Sequence, residues 1–386
     1  MFAVLKSLIV VSYMNQYWAG LAFRWRRFAD IFSLLLGGLV SGALFCCPSY
    51  AQDKLRYPAE IIDFIICPQG IVAITANGKI WQDPIVLGSR RQGLAHATLR
   101  STLGLGAPVT LASLNEKGTL VAVYAGKATA VASVASGEIL ASSENIESRP
   151  QSIAVDDGAS VLVGATDGKV YRWRYNEEMS GDGRDLTFER YIGHSSVITS
   201  VAFHPLGRLL LSGDWVGQVN VWLRYDKDDF GGAYDRNRYP GRFYTDVPTK
   251  AKGSQLSDAV ESIVVSTSGE RFVTATRDGS LQVWLIRGLK KLGEVKAHDG
   301  SITSVALSED GSRVASSGRD GSVRTWKVVE NEDIKGASIA ALEAVGEAVL
   351  PDQKKLQWGL DGQLLGARGD TVSVIAVSRV TPVPTP

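Results

Sequence analysis

Cysteine is scarce in this chain. Only three of 386 residues are Cys, at positions 46, 47 and 67. If the first 51 residues are removed, as argued below, Cys67 is left alone. No intramolecular disulfide is then available, and the fold must stand on its core. Histidine is almost as rare, with only His96, His194, His204 and His298. No His/Cys cluster has metal-ligand spacing, and there is neither a Gly-x-Ser-x-Gly elbow nor a phosphate-cradling loop. The expectation is no metal, no cofactor and no catalytic residue, so not an enzyme. A large excess of charge of either sign is also missing, with 41 basic residues against 40 acidic ones. A nucleic-acid binder wants a strongly basic face, so no nucleic-acid partner is expected. At 45% apolar and 21% charged, the chain is too polar for a polytopic membrane protein and has ample material for a sizeable core.

The N-terminus departs from this balance. Arg24, Arg26 and Arg27 precede the uncharged run Ile31–Cys47, and Ser49-x-Ala51 then supplies small residues at both positions of a cleavage site. A basic region, an apolar run, a small-residue site and an abruptly polar sequence predict a secretory signal peptide over 1–51, cut after Ala51. The alternative is an uncleaved anchor helix at residues 31–47, which is short for a bilayer span. In both cases the arginines favour a cytoplasmic N-terminus and an exported remainder. Residues Met1–Tyr13 fit a signal poorly, which leaves Met14 as a possible alternative start. Cutting after Ala51 removes four of the 41 basic residues and one of the 40 acidic, leaving 37 against 39.

The rest of the chain is organised around Gly193–Trp222, which returns without a gap as Ala297–Trp326. Both copies place a His 28 residues before a Trp, His194 to Trp222 and His298 to Trp326, with Ile-Thr-Ser-Val-Ala four residues after the His. Each copy reads as three short strands joined by tight turns. Asp320-Gly321 between two alternating apolar runs is a strong hairpin signal, because Gly accepts positive φ. One such unit cannot bury its own faces, whereas a ring of them can.

The His-containing dipeptide, the central Ser, the Asp-Gly turn and the strand-ending Trp resemble the WD-repeat family of β-propellers, here as an exported bacterial member. The resemblance implies a hydrogen-bonded His, Ser/Thr, Asp and Trp tetrad inside each blade. Carried over, it is His298, Ser316, Asp320 and Trp326. The other copy offers His194, Ser212 and Trp222 but has Val216 at the Asp position, so that tetrad is expected to be incomplete, with Val216 filling the space.

Further strand-and-turn units begin near Ile61, Val109, Ser152, Val260 and Leu356. With the two matched copies they make seven. The last lacks its outermost strand, while the chain starts with an orphan strand near Lys54–Tyr57, which is expected to complete that blade. The predicted fold is all-β: a seven-bladed propeller of four-stranded antiparallel blades over 52–380, preceded by the signal or anchor helix and followed by the Pro-rich, disordered tail 381–386.

Candidate binding residues follow from this topology. The position seven residues before each Trp lies in the turn between second and third strands: Thr166, Trp215, Arg277 and Arg319. In the WD-repeat family that face commonly binds partners, and an exposed Trp beside two Arg has the composition of an interface hot spot. The long insertion 225–249 adds Tyr234 and Tyr239, and part of it near Arg242–Val247 should supply its blade's fourth strand. Asp226, Asp228 and Asp229 lack the spacing of a calcium loop. The functional expectation is a monomeric, non-catalytic interaction scaffold for a protein partner, periplasmic or secreted, touching the membrane only through the N-terminal segment if that is uncleaved. The alternative is an enzyme or small-ligand binder using the central channel, signalled by convergent carboxylates, His or Arg.

Overall fold

The computed structural model describes residues 54–83, 98–144, 146–175, 186–205, 209–223, 245–246, 256, 258–286, 290–332, 338–359 and 362–379. They form seven antiparallel sheets and, among the described residues, no helix. Blade 1 consists of Ile61–Cys67, Gly70–Thr75, Lys79–Asp83 and Thr98–Thr102. Blade 2 is Val109–Leu114, Leu120–Ala125, Ala128–Ser133 and Ile139–Ser143. Blade 3 is Pro150–Val155, Ser160–Ala165, Lys169–Tyr175 and Leu186–Ile192. Blade 4 is Ile198–Phe203, Leu209–Asp214, Val219–Leu223 and the two-residue strand Thr245–Asp246. Blade 5 is Val260–Val265, Arg271–Thr276, Ser280–Leu285 and Lys290–Lys296.

Blade 7 joins the two ends of the chain. Its strands Lys355–Trp358, Leu364–Arg368 and Thr371–Ile375 are completed by Lys54–Arg56, which pairs antiparallel with Thr371–Ser373. The orphan strand therefore closes the ring, as the missing outer strand anticipated. Blade 6 holds a feature with no sequence signal. Its strands are Ile302–Leu307, Arg313–Gly318, Ser322–Glu332 and Ser338–Val349, and the last two form an extended hairpin. Ser378–Arg379 adds a fifth strand at Gly346 and Glu347, tying the C-terminal segment to the blade before the last.

Each sheet is buried on both faces, which explains the near-continuous apolar second strands. Ser160–Ala165 is buried throughout, and five of the six residues in Arg271–Thr276 are buried. The core is split into seven apolar clusters, one at each junction between neighbouring blades. Leu55 and Tyr57 belong to the junction of blades 7 and 1, so the closing strand contributes core as well as hydrogen bonds.

The recurring Ile-Thr-Ser has a division of labour. Ile198 and Ile302 are fully buried. A β-bulge follows each of them. The bulged Thr199 donates to the carbonyls of Gly213 and Val260, and Thr303 to those of Ser317 and Gln353. Ser200 Oγ accepts the Ile263 N–H at 2.9 Å, and Ser304 Oγ accepts the Leu356 N–H at 2.9 Å. In blade 1, Asp63 Oδ2 accepts the Leu114 N–H at 2.8 Å in the same way. The inner strands are thus stitched to their neighbours through side chains, because each inner strand belongs to a different sheet and no backbone ladder links them.

Candidate functional site

The tetrads hold together one face of the ring. In blade 6, Trp326 Nε1 donates to Ser316 Oγ at 3.1 Å, and Ser316 Oγ lies 2.8 Å from His298 Nε2. His298 Nδ1 lies 3.0 Å from Asp320 Oδ1. The indole N–H can only donate, so the Ser hydroxyl is free to donate to Nε2, which leaves the ring proton on Nδ1 for the carboxylate. Burial pushes His298 below its ordinary value, against the opposing pull of Asp320. Burial also acts to raise Asp320, but the Ser322 N–H, the Ser322 hydroxyl and His298 outweigh it and hold the carboxyl at about 2.

Blade 4 corrects the expectation of an incomplete tetrad. His194 Nε2 lies 2.7 Å from Ser212 Oγ, which takes the Trp222 N–H at 2.8 Å. The carboxylate comes from Asp214, whose Oδ2 is 3.0 Å from His194 Nδ1. Asp214 is the last residue of the second strand, two positions before Val216. Its Oδ1 accepts the Val216 and Gln218 N–H groups at 3.0 and 2.8 Å, so one carboxylate serves both the His and the turn. Val216 does not fill the Asp space; it is 54% exposed. Blade 6 has Gly318 at the position of Asp214, where a Cβ would clash with the His298 ring. The two blades therefore reach the same network from two alternative backbone positions.

The other blades keep parts of the pattern. In blade 5, Trp284 Nε1 donates to Thr274 at 3.1 Å, while Leu256 occupies the His position and is buried. Asp278 turns to Thr276 and Ser280 instead. In blade 3, Val163 replaces the Ser or Thr, and Trp173 donates across the junction to Thr129 of blade 2 at 3.2 Å. Asp167 there takes the Tyr171 hydroxyl at 2.7 Å, and the phenol is pushed up to about 12 by burial and by that bond.

The four positions singled out seven residues before the Trp are structurally equivalent. The backbone N–H groups of Thr166, Trp215, Arg277 and Arg319 donate to Arg149, Val197, Ala259 and Ser301, each carbonyl lying just ahead of the inner strand of the same blade. They line one face, beside the connections into the next blade. Trp215 is 47% exposed. The Arg277 guanidinium lies over its ring, 3.4 Å from the centroid, and Arg277 Nε donates to Glu261 at 3.1 Å. Arg319 is exposed, and Thr166 is held by Ser148 at 2.5 Å. Tyr234 and Tyr239, like Asp226, Asp228, Asp229, His96 and the signal segment, lie outside the described residues.

Three segments, 186–222, 249–284 and 289–327, match the WD40 family (WD domain, G-beta repeat). These are WD40 repeats. Each matched segment ends at or just after the Trp of its blade. The first begins in the outer strand of blade 3, so the sequence repeat runs one strand out of phase with the blade. No curated protein matches the chain in sequence. Among solved structures, the WD40 β-propeller domain of Doa1 is similar with a TM-score of 0.57 and 14% identity, over 84% of this chain and 95% of that one. A chain of the mitotic checkpoint complex is similar with a TM-score of 0.59 and 14% identity, over 85% and 93%. Both likenesses are to the fold. WD40 propellers generally mediate protein–protein interaction and are typically non-catalytic.

The opposite face carries the turns between first and second strands. Glu116 is pushed up there by burial and by Asp157 and Glu309. Asp157 is compensated by Asn115 at 2.7 Å and Lys117 at 3.0 Å. His204 Nε2 meets the Gly269 carbonyl at 2.9 Å, linking blades 4 and 5. Among the described residues no group of His, Cys, Asp and Glu is arranged to hold a metal.

Proposed function

We propose that this chain is a non-catalytic interaction platform, exported to the bacterial periplasm, that holds a protein partner on the face carrying Trp215, Arg277 and Arg319. One observation carries the reading: the half-exposed Trp215 with Arg277 stacked on it. A large ring left in water and stiffened by a guanidinium is poised to bury apolar area at little entropic cost, the property that makes Trp and Arg recurrent hot spots. The export component rests on Arg24, Arg26 and Arg27 ahead of Ile31–Cys47 and Ser49-x-Ala51.

Crosslinking and pull-down from an envelope fraction test the platform. The wild-type chain should recover a partner that the Trp215→Ala/Arg319→Ala variant loses. Equal recovery from both would overturn the assignment of this face. For export, N-terminal sequencing of the mature chain should begin at Gln52, and a full-length chain confined to the cytoplasm would contradict it.

A further inference from the structure

The charge pattern around Trp215 is selective. Most basic side chains on this face are already matched. Lys169 and Arg190 both reach Glu147, at 3.1 and 3.0 Å. Arg324 lies between Asp320 and Glu347. Lys354 and Lys355 hold Glu60 and Asp63. Arg149 and Arg319 differ: both are exposed, and neither has an ion pair among the described residues. Arg277 is half engaged. Its planar face rests on Trp215 and its Nε on Glu261, which leaves the edge formed by the two terminal nitrogens. Glu144 and Asp299 are exposed carboxylates on this face without an ion pair among the described residues, while Asp258 accepts the Ala259 N–H.

A guanidinium fixed by its face and its Nε cannot swing away, so its free edge points in one direction. That edge carries parallel N–H donors whose spacing matches a carboxylate, and little further entropy is lost when they bind. Arg319 offers a second guanidinium at the equivalent place in the next blade. Apolar surface lies on the other side of Trp215. Val216 is 54% exposed and Ile192 is 45% exposed. Gln218 Nε2 lies 3.5 Å from the Gly193 carbonyl, so the turn bearing Val216 sits over the connection that starts beside Ile192.

We infer that the occupant of this face is an acidic, extended segment of the protein partner, with one carboxylate on the free edge of Arg277, another at Arg319, and an apolar side chain over Val216. The inference rests on the interaction-platform reading and narrows it to a class of ligand.

The full chain is panned against a random-peptide phage library, and enriched peptides are synthesised and titrated by fluorescence anisotropy. Asp and Glu should be enriched beside an apolar anchor, and affinity should fall with salt. Arg277→Gln and Arg319→Gln should each weaken binding about tenfold, the usual effect of losing one charge-assisted hydrogen-bonded contact. Arg277→Lys should recover little of the loss, because an ammonium has neither the fork nor the flat face. Thermal melts of the variants should match wild type, since all of these side chains reach the surface. Peptides that need Trp215 but show no acidic enrichment, or that ignore the Arg→Gln changes, would overturn this inference and leave the platform standing. If no peptide binds in a Trp215-dependent manner, both readings fail.

Discussion

Asp214 is where sequence alignment and tertiary structure disagree most usefully. Asp214→Ala removes the acceptor for three donors: His194 Nδ1–H at 3.0 Å, the Val216 N–H at 3.0 Å and the Gln218 N–H at 2.8 Å. The His194 and Asp214 side chains are fully shielded from solvent, so water does not readily replace the lost oxygen. An unsatisfied buried donor costs about 1–3 kcal/mol, and the turn amides are closer to solvent, so the total should be about 3–5 kcal/mol. A domain of roughly 335 residues has an unfolding entropy of about 0.7 kcal/mol/K, which converts this to a fall of about 4–7 °C in melting temperature. Val216→Ala, at the position where the repeat pattern puts the Asp, should stay within about 0.5 kcal/mol of wild type. The decisive variant is Asp214→Gly/Val216→Asp, which copies the Gly318 and Asp320 arrangement of blade 6. It should regain most of the lost stability, because a carboxylate again reaches His194 and the Gly removes the competing side chain. Scanning calorimetry of the full chain is the assay. The reasoning is refuted if Asp214→Ala melts within about 1 °C of wild type, or if the double variant melts no higher than Asp214→Ala.

Other expectations follow from the same structure. Leu55→Ala should cost about 2–4 kcal/mol, because Leu55 is a buried member of the blade 7–blade 1 cluster; deleting 52–58 should cost more, and an unchanged melt would contradict closure by this strand. Gly279 has φ +93, and a Cβ there would run into the carbonyls of His298 and Gly300. Gly279→Ala should therefore destabilise by about 2 kcal/mol or more in urea titrations, and a loss below about 0.5 kcal/mol would show that the connection yields freely. Acid should weaken the fold in two stages. Burial keeps His298 neutral below its ordinary value, so the unfolded chain binds the extra proton and stability falls as the pH drops below about 6.5. Asp320, held at about 2, loses its contribution between about pH 4 and pH 2. A urea midpoint that rises on acidification from neutrality would count against the His298 account.

The repeat made the fold legible because its chemistry is local. Turn glycines, alternating apolar runs and the His-to-Trp spacing all act within one blade, and each blade meets only its neighbours. The closing strand was legible for a related reason: one blade was short by a strand, and one strand at the far end had no blade. The equivalence of Thr166, Trp215, Arg277 and Arg319 also followed from spacing alone. What escaped was of another kind. Asp214 looked like an ordinary strand residue because the fixed offset pointed to Val216, and only backbone direction shows that a strand-ending side chain reaches the same imidazole. The Asp63, Ser200 and Ser304 stitches were visible as polar residues inside apolar strands, but their partners lie in other blades. Ser378–Arg379 was too short to carry any pattern.

By itself, the sequence determined that the chain builds repeated hairpin sheets with apolar faces and that these need one another to be buried. Strand period, turn chemistry and composition are properties of neighbouring residues, and they need no folded partner to be read. Only the tertiary structure decided which carboxylate completes the His194 network, that the C-terminal segment returns to blade 6, and that Arg277 from one blade lies on Trp215 from another. These contacts depend on how separate sheets are turned and spaced around the ring, a geometry created by closure and absent from any single repeat.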